Sequence, residues 1–451
     1  MIFRKRHSWD KVLFLTLSLL TFVLIFSNNG VRYDGIILTI FYLIGLGALY
    51  SIFLSIDKKS YSLNKTTGLF YYFFFSLAPA IQFKFKASFF IKEYLSREVY
   101  LKAGLVLLGV LLVYLVGYHV ATVKFKKGHD SIKKQPKKAA KELNLVVLYA
   151  ISIGAVILYL YLIKFEWRVI LFRPPENWMK ENTNGGLIGY AVISVIRYVP
   201  FFVLLTYIYL NKNRTIHTVL LMVLFLVTCF PIALSRGILA AVYIPLLLAF
   251  IPFFRKGFNY TLLFMGGVLG VFPILNSFRN IKEGAFKFDF HLFNSGHFDA
   301  FQNFALLLDE QLITNGRQLL GSVLFFVQDT HWEGRPHGTG YLLGETLGYS
   351  YLNVAMPFFG EGYANFGYIG ILLFLGGLIW CNAFLDAKHT MGFRNVPLKS
   401  FYSLMLGFEF YVLRGDLSSS IKKMTGFILA ITVVTLGVLL FNKHRRLFIK
   451  I

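Results

Sequence analysis

Charged residues are scarce in this chain: 15% of its 451 residues are Asp, Glu, Lys or Arg, whereas 56% are hydrophobic. The mean hydropathy is +0.62. A water-soluble core of this length needs much less apolar material, because only the interior residues leave water. The shortage of charge therefore excludes a water-soluble architecture.

Cysteine is nearly absent as well. The chain has two cysteines, Cys229 and Cys381, and both lie inside apolar runs. Two cysteines can form neither a disulfide framework nor a zinc site of several thiolates, so packing is the expected role of both. Two histidine pairs between residues 291 and 337 have a spacing of six, which is not the i, i+4 spacing of helical metal ligands. No metal ligand is predicted.

Nucleotide-binding and hydrolase signatures are missing too. The GxGxxG, P-loop and GxSxG patterns do not occur, and these are the patterns that bind dinucleotides or phosphates or present a nucleophilic serine. No acidic DxD pair lies in a loop on the predicted external side, which argues against a metal-dependent reaction with a nucleotide sugar. We expect no cofactor.

Apolar runs of about 17 to 24 residues are frequent, and each can cross roughly 30 Å of hydrocarbon as a helix. In lipid, only helices and closed barrels satisfy the backbone. The run at 145–163 lacks the alternation of a barrel strand. The sequence therefore predicts an all-α, polytopic transmembrane helical bundle of about twelve spans. The spans are centred on residues 12–27, 36–56, 68–83, 99–121, 143–163, 187–210, 217–234, 238–254, 259–275, 368–385, 398–413 and 424–441.

Positive charge is distributed unevenly among the loops that these spans define. With the N-terminus inside, the cytoplasmic segments hold 25 Lys and Arg residues, and the opposite side holds 18 over about twice the length of chain. The positive-inside rule then places both termini in the cytoplasm. Lys-rich loops bind anionic head groups, so the net charge of +24 requires no nucleic-acid partner. No internal repeat or linker is visible, and we expect one membrane domain over residues 1–451.

One predicted external segment, residues 276–367, is far longer than the other loops. Long loops in compact proteins are usually functional. Within it, residues 299–312 place apolar side chains on one helical face and polar ones on the rest. We predict an interfacial helix that lies on the membrane. The alternative is a helix whose apolar face packs on the bundle.

Four arginines lie at or beyond the predicted external face: Arg236 in ALSRGILA, Arg279 in NSFRN, Arg335 in WEGRPHGTG and Arg414 in VLRGDLSSS. A guanidinium stays charged at physiological pH and binds phosphate in a bidentate manner. The four side chains are therefore predicted to converge on one anionic ligand. Anchoring to lipid head groups is the alternative for each arginine taken alone.

The stretch 331–370 combines histidines and carboxylates with many glycines and aromatic residues. Histidine and carboxylate side chains suit general acid and base catalysis. Glu361 in PFFGEGYANFG directly precedes a predicted span, so its carboxylate is expected near the membrane surface and partly buried. His337 lies in the same stretch. We predict that one of these two residues is the catalytic base.

The order of these motifs resembles the oligosaccharide repeat-unit polymerases, the O-antigen polymerase family. A span ends in SRG, FRN follows, and a long external loop contains FDAF and WEGRP before GEGYANFGYIG enters the next span. The resemblance covers roughly residues 230–420 in motif order and the whole chain in span number. Gln328 and Asp329 stand where the family pattern leads us to expect a Pro-Arg pair.

The resemblance implies a glycosyltransferase of the bacterial cytoplasmic (inner) membrane. Such an enzyme uses undecaprenyl-pyrophosphate-linked oligosaccharides as donor and acceptor, and it releases undecaprenyl pyrophosphate. Arg236, Arg279, Arg335 and Arg414 would hold the pyrophosphates and stabilise the leaving group. Membrane lipids, a chain-length regulator and a flippase are the implied partners. The product would be O-antigen, capsule or exopolysaccharide.

Other classes of function remain open at this stage. A repeat-unit flippase or another secondary transporter is the main alternative, since twelve spans with both termini inside is a common transporter layout. An O-antigen ligase would share the arginines, the long loop and the lipid-linked donor, and would differ in its acceptor. A structural scaffold in a polysaccharide complex gives no reason for the arginines.

Overall fold

The computed structural model of the protein describes most of the chain: residues 2–27, 30–56, 59–90, 94–127, 145–174, 176–210, 216–271, 292–294, 296–327, 331–393 and 395–441. Helices account for 79% of the structure, and no strand occurs in these residues. The prediction of an all-α fold is confirmed. The described parts of residues 1–129, 252–390 and 409–421 form one compact unit, unit 1. Those of residues 130–251, 391–408 and 422–451 form unit 2.

The α-helices of the described residues are numbered in chain order. They are α1 (Ile2–Phe26), α2 (Gly35–Phe53), α3 (Leu63–Phe70), α4 (Ala78–Phe85), α5 (Arg97–Lys127), α6 (Leu145–Leu162), α7 (Trp167–Leu171), α8 (Glu176–Asn182), α9 (Gly186–Ile196), α10 (Val199–Leu210), α11 (Ile216–Thr228), α12 (Arg236–Phe250), α13 (Asn259–Gly266), α14 (Ala300–Asp309), α15 (Arg317–Val323), α16 (Thr339–Thr346), α17 (Phe358–Met391), α18 (Val396–Arg414) and α19 (Leu417–Phe441). Two π-helical stretches continue helices: Tyr71–Leu77 joins α3 to α4, and Gly267–Val271 follows α13.

Eight helical segments of the described chain are long and apolar enough to cross a membrane. They are Trp9–Phe26, Gly35–Phe53, Arg97–Lys127, Leu145–Leu162, Gly186–Leu210, Ile216–Ala233, Phe358–Met391 and Leu417–Leu440. Each one matches a predicted span, and together they indicate a membrane protein. The number of twelve spans and the orientation of the termini remain predictions.

The other four predicted spans correspond to interrupted, shorter or more polar helices. The span at 68–83 falls in α3, the π-helical stretch and α4. The span at 238–254 falls largely in α12, an apolar helix of 15 residues that contains Pro245. The span at 259–275 is described only as far as Val271. The span at 398–413 lies in α18, which carries the buried acid Glu409.

Aromatic side chains fill the core of unit 1, in keeping with an aromatic content of 18%. The ring centroid of Phe301 on α14 lies 5.2 Å from that of Phe41 on α2 and 5.3 Å from that of Tyr100 on α5. Edge-on and offset ring pairs of this kind add about 0.5–1.5 kcal/mol beyond the burial of their area. These contacts fix α14 against two long apolar helices.

The helix predicted in residues 299–312 exists, but its predicted position on the membrane surface is wrong. Every residue from Ala300 to Leu308 is buried within the protein. Its polar side chains have protein partners: Gln302 Nε2 donates to Gln82 Oε1 at 3.2 Å and to the Ala87 carbonyl at 2.8 Å. The alternative is therefore correct, and α14 packs on the bundle.

Helix α17 is broken near its beginning. Phe366 has φ −143° and ψ 24°, and Gly367 has φ 61° and ψ −147°, a backbone conformation that glycine adopts far more readily than other residues. The break turns the first two helical turns back against the rest of the helix, so that Gly362 and Gly370 meet backbone to backbone. Any side chain at either glycine would occupy the space of the other residue.

The carbonyl groups released by this break are satisfied by the residues before α15. The Ala364 carbonyl accepts from Thr314 N at 2.7 Å and from Thr314 Oγ1 at 2.9 Å. The Asn365 carbonyl accepts from Gly316 N at 2.9 Å, and its side-chain oxygen accepts from Leu319 N at 2.7 Å. Buried carbonyls without partners are costly, so these bonds hold the segment 314–319 to the broken helix.

In unit 2, α6 packs against α9, α10 and α11. Arg197, between α9 and α10, donates from Nε to the carbonyl of Thr228 at 2.7 Å. Thr228 is the last residue of α11, and a helix end needs such a donor because its last carbonyls have no partner in the helix. The rings of Tyr198 and Phe427 lie 4.5 Å apart and connect this group to α19.

Replacing Gly370 with alanine is expected to destabilise unit 1 by about 1–3 kcal/mol, because the new methyl group would overlap the carbonyl group of Gly362. Gly376 in the same helix is the matched control, since a Cβ there meets nothing within 4 Å. Thermal unfolding of the purified variants in detergent measures both effects. Equal melting temperatures for Gly370→Ala and Gly376→Ala would contradict the described packing.

Candidate functional site

Glu361, in the first turn of α17, lies at the centre of the candidate site. Its side chain is buried, with 1% exposure. Oε2 accepts a hydrogen bond from Thr339 Oγ1 at 2.5 Å, and Oε1 accepts one from Leu417 N at 2.8 Å. Thr339 begins α16 and Leu417 begins α19, so one carboxylate connects the starts of two helices.

Asp416 makes the same connection from the other side. Its Oδ1 accepts from Ser418 N at 2.9 Å, which is the usual way in which an aspartate caps the start of a helix. Its Oδ2 accepts from Gly340 N in the first turn of α16 at 3.3 Å. Helix starts carry a partial positive charge, and this charge favours the carboxylate of Asp416, which accepts from both of them.

Gly338 allows this close approach of residues 337–340 to α19. It has φ 148°, a value that favours glycine, and a Cβ there would collide with the Asp416 carboxylate. His337 precedes it and is exposed, with its ring centroid 5.0 Å from that of Tyr341. The imidazole of His337 therefore lies at the surface, one residue from the Gly338–Asp416 contact.

Arg414, the last residue of α18, forms an ion pair with a buried acid. Its Nη2 lies 3.0 Å from Asp299 Oδ1, and the side chain of Arg414 is 32% exposed while that of Asp299 is 3% exposed. The other oxygen of Asp299 accepts from Asn303 Nδ2 at 3.1 Å and from Ala355 N at 3.3 Å. The acid is thus fixed from three sides, and it holds the guanidinium in one orientation.

A buried tyrosine lies next to this acid. Tyr349 donates from its hydroxyl to Asn303 Oδ1 at 3.5 Å. Burial, with a smaller contribution from the charge of Asp299, raises the pKa of the Tyr349 phenol above its usual value. Tyr349 is therefore a neutral hydrogen-bond donor at physiological pH.

Arg335 donates hydrogen bonds to backbone carbonyl groups. Its Nη1 donates to the carbonyl of Phe325 at 3.1 Å and to that of Val327 at 2.5 Å. Arg317 Nη2 likewise donates to the Gly334 carbonyl at 2.8 Å. These bonds join Arg335 to residues 325 and 327 and Gly334 to Arg317, and Arg335 is half-buried.

Four of the six predicted site residues lie in unit 1. Glu361 and Arg414 belong to segments that are directly bonded, and Arg335 and His337 lie on the segment that Asp416 contacts. Arg236 belongs to unit 2, where it begins α12 and is half-buried. Arg279 lies outside the described residues. The prediction that all four arginines converge on one ligand stays a prediction.

The two candidate bases, Glu361 and His337, differ in their exposure to solvent. Glu361 is buried and both of its oxygens already accept hydrogen bonds, so a substrate hydroxyl has no access to it in this conformation. His337 is open to solvent. The geometry therefore favours a positioning role for Glu361 and leaves His337 as the accessible one of the two candidates.

Sequence reasoning missed Asp416, Asp299 and Thr339 as members of this site. Asp416 had a usable signal, because aspartate is a preferred residue at the position directly before a helix. Thr339 and Asp299 had none, since each acquires its role only through a contact with a residue distant in sequence. No protein-family model, curated protein or solved structure matches the chain.

The variant Thr339→Val is expected to destabilise the site by about 1–3 kcal/mol, because the buried Glu361 loses its hydroxyl donor. Thr339→Ser keeps the hydroxyl and should restore most of the stability. Limited proteolysis of the segment 325–347, together with thermal unfolding, measures the difference. Thr346→Val is a control, because that exposed hydroxyl bonds only to the Leu342 carbonyl of its own helix. Valine and serine variants of equal stability would refute the role of this bond.

Proposed function

We propose that this protein polymerises oligosaccharide repeat units carried on undecaprenyl pyrophosphate, at the outer face of a bacterial cytoplasmic membrane. The observation that carries the proposal is the placement of Arg414. Its guanidinium is partly exposed and fixed by Asp299, and Asp416, two residues later, contacts the segment that presents His337. A cation and a base are thereby held on one folded surface.

The pairing of Arg414 favours a specific anion site over anchoring to lipid head groups. An anchoring side chain needs freedom to follow the head groups. Arg414 is instead oriented by an acid that has its own hydrogen-bond donors. Nη2 is used for Asp299, and a guanidinium has five N–H donors in all, so others are left for the oxygens of a diphosphate.

The proposed reaction is a glycosyl transfer. The hydroxyl group at the non-reducing end of the acceptor unit attacks the anomeric carbon of the donor, and its proton passes to His337. The bond from the anomeric carbon to the pyrophosphate oxygen breaks, and that oxygen leaves with the electron pair. Arg414 and Arg335 stabilise the negative charge that develops on the leaving undecaprenyl pyrophosphate. Glu361 and Asp416 hold the start of α16, which follows His337, against the start of α19, which follows Arg414.

A secondary transporter, such as a flippase for the repeat units, is the second candidate. The break of α17 at Phe366–Gly367 and the π-helical stretches favour it, because interrupted helices are frequent in transporters and at functional sites. In transporters the freed carbonyls commonly bind the coupling ion. Here the carbonyls of Ala364 and Asn365 bind the segment that begins at Thr314. The freed carbonyls therefore hold a neighbouring segment of the protein in place. This use favours the polymerase over the transporter.

Reconstitution of the purified protein with a synthetic undecaprenyl-pyrophosphate-linked repeat unit tests the proposal. A polymerase is expected to give a ladder of lipid-linked products together with free undecaprenyl pyrophosphate. Transfer of single units between leaflets without a ladder would overturn the proposal in favour of a transporter. A product that forms only after addition of a lipid A-core acceptor would overturn it in favour of a ligase.

The variant Arg414→Lys is expected to lower the rate of ladder formation about tenfold to a hundredfold, because lysine keeps the charge but loses the planar fork of donors. Lysine can still pair with Asp299, so the fold is expected to survive. Arg168→Lys, at an exposed arginine on α7, is the matched control and should keep the wild-type rate. A rate in Arg414→Lys equal to that of the control removes Arg414 from the reaction.

A further inference from the structure

A second buried glutamate lies on α18, the helix that ends at Arg414. Glu409 has 0% exposure. Its Oε1 accepts from Thr67 Oγ1 at 2.6 Å and from Asn382 Nδ2 at 2.6 Å. Its Oε2 is also buried and has no hydrogen-bond partner among the described residues. The carboxyl group is therefore bonded on one side only.

This half-bonded state is costly for an anion. In the described part of the chain Glu409 forms no ion pair, and a carboxylate removed from water without a counter-charge loses several kcal/mol of solvation. The same group costs far less when it carries a proton. An intramembrane carboxyl of this kind is a functional candidate, because proteins rarely retain one without a use for it.

Asp386 on α17 provides the contrast. It is also buried, but it accepts from Leu63 N at 3.0 Å, from Asn64 N at 3.1 Å and from the Tyr118 hydroxyl at 2.9 Å. Leu63 and Asn64 form the first turn of α3, where the helix dipole favours a negative charge. Three donors and a helix start suit a carboxylate, so Asp386 is the charged member of the two acids.

Two tyrosines of α5 lie beside the two acids. The Tyr114 hydroxyl donates to Thr67 Oγ1 at 3.2 Å, and Thr67 donates to Glu409. The ring of Tyr114 stacks on that of Tyr118, with centroids 5.9 Å apart, and Tyr118 bonds to Asp386. A cavity of about 240 Å³ adjoins this end of the network, and its lining includes Tyr118, Asn64 and His119.

Several other titratable or charged side chains lie on the elements that surround Glu409. They are Asp386 and Cys381 on α17, Tyr114 and Tyr118 on α5, Tyr260 on α13 and Lys65 on α3. Lys65 is the cation of this set, and it precedes Thr67 by two residues. Side chains two apart on a helix point to different faces. The acid is therefore surrounded by neutral groups and by the negative charge of Asp386.

We propose that Glu409 is a proton-binding site: its carboxyl group holds a proton at neutral pH and gives it up on alkaline titration. Rotation of the carboxyl group exchanges its two oxygens. The site goes beyond glycan transfer, because it makes the membrane part of unit 1 sensitive to protons whatever the external substrate is.

Infrared difference spectroscopy of the purified protein in lipid vesicles, titrated with buffer, tests this site. We expect a protonated-carboxyl C=O band at neutral pH that disappears on alkaline titration. The band should be lost in Glu409→Gln and kept in Asp386→Asn. Glu361→Gln is the matched control, because Glu361 is equally buried but bonded at both oxygens. Its variant should keep the Glu409 band.

A second variant covers the case in which Glu409→Gln does not fold. Thr67→Val removes a hydrogen bond to Oε1 and should shift the same band to higher frequency. A spectrum without a band that responds to Glu409→Gln or to Thr67→Val at any pH would overturn the proposal. So would a band that persists unchanged through the titration. Neither readout depends on polymer formation, so failure here is distinguishable from failure of the proposed function.

Discussion

The hydrogen bonds to Glu361 decide where three distant stretches of the chain meet. The carboxylate accepts from Thr339 at the start of α16 and from Leu417 at the start of α19, while its own helix is α17. Each of these donors is buried and would be costly to leave unpaired, so the three stretches are fixed together. Arg414 precedes Leu417 by three residues. The bonds that satisfy Glu361 therefore also set where the guanidinium of Arg414 emerges beside Asp299.

Two buried glutamates in unit 1 differ in how many of their carboxyl oxygens are hydrogen-bonded, and this difference indicates whether each has a structural role. Glu361 is bonded at both oxygens and joins helices, so its burial is explained by the fold. Glu409 is bonded at one oxygen and has no comparable structural reason for its charge. Replacing Glu361 with an apolar residue would leave two helix starts without an acceptor. For Glu409, one threonine and one asparagine would lose an acceptor, which is a smaller structural role for a fully buried acid.

Hydropathy predicted the eight long helices because each is a continuous apolar run, a property of the local sequence. It did not predict the break in α17, which depends on Gly367 and on donors from Thr314 and Gly316. The prediction that α14 lies on the membrane surface was wrong for a related reason. A periodic pattern shows which face is apolar, but the polar face of α14 meets Gln82 and other protein groups in place of water. The sequence indicated which arginine, glutamate and histidine residues were candidates for the site. It could not show that Asp299 is the partner of Arg414, because that contact depends on the fold.

The break in α17 and the proposed proton-binding site each lie close to part of the proposed anion site. The carbonyls freed at the break hold the segment that begins at Thr314, and that segment belongs to the loop on which Arg335 and His337 lie. Glu409 precedes Arg414 by five residues on α18, about 7.5 Å along the axis at 1.5 Å per residue. A change of charge at Glu409 therefore acts within one and a half turns of the guanidinium that we assign to the diphosphate. The proposed proton site and the proposed anion site therefore lie on one helix, which gives a physical route by which one can influence the other.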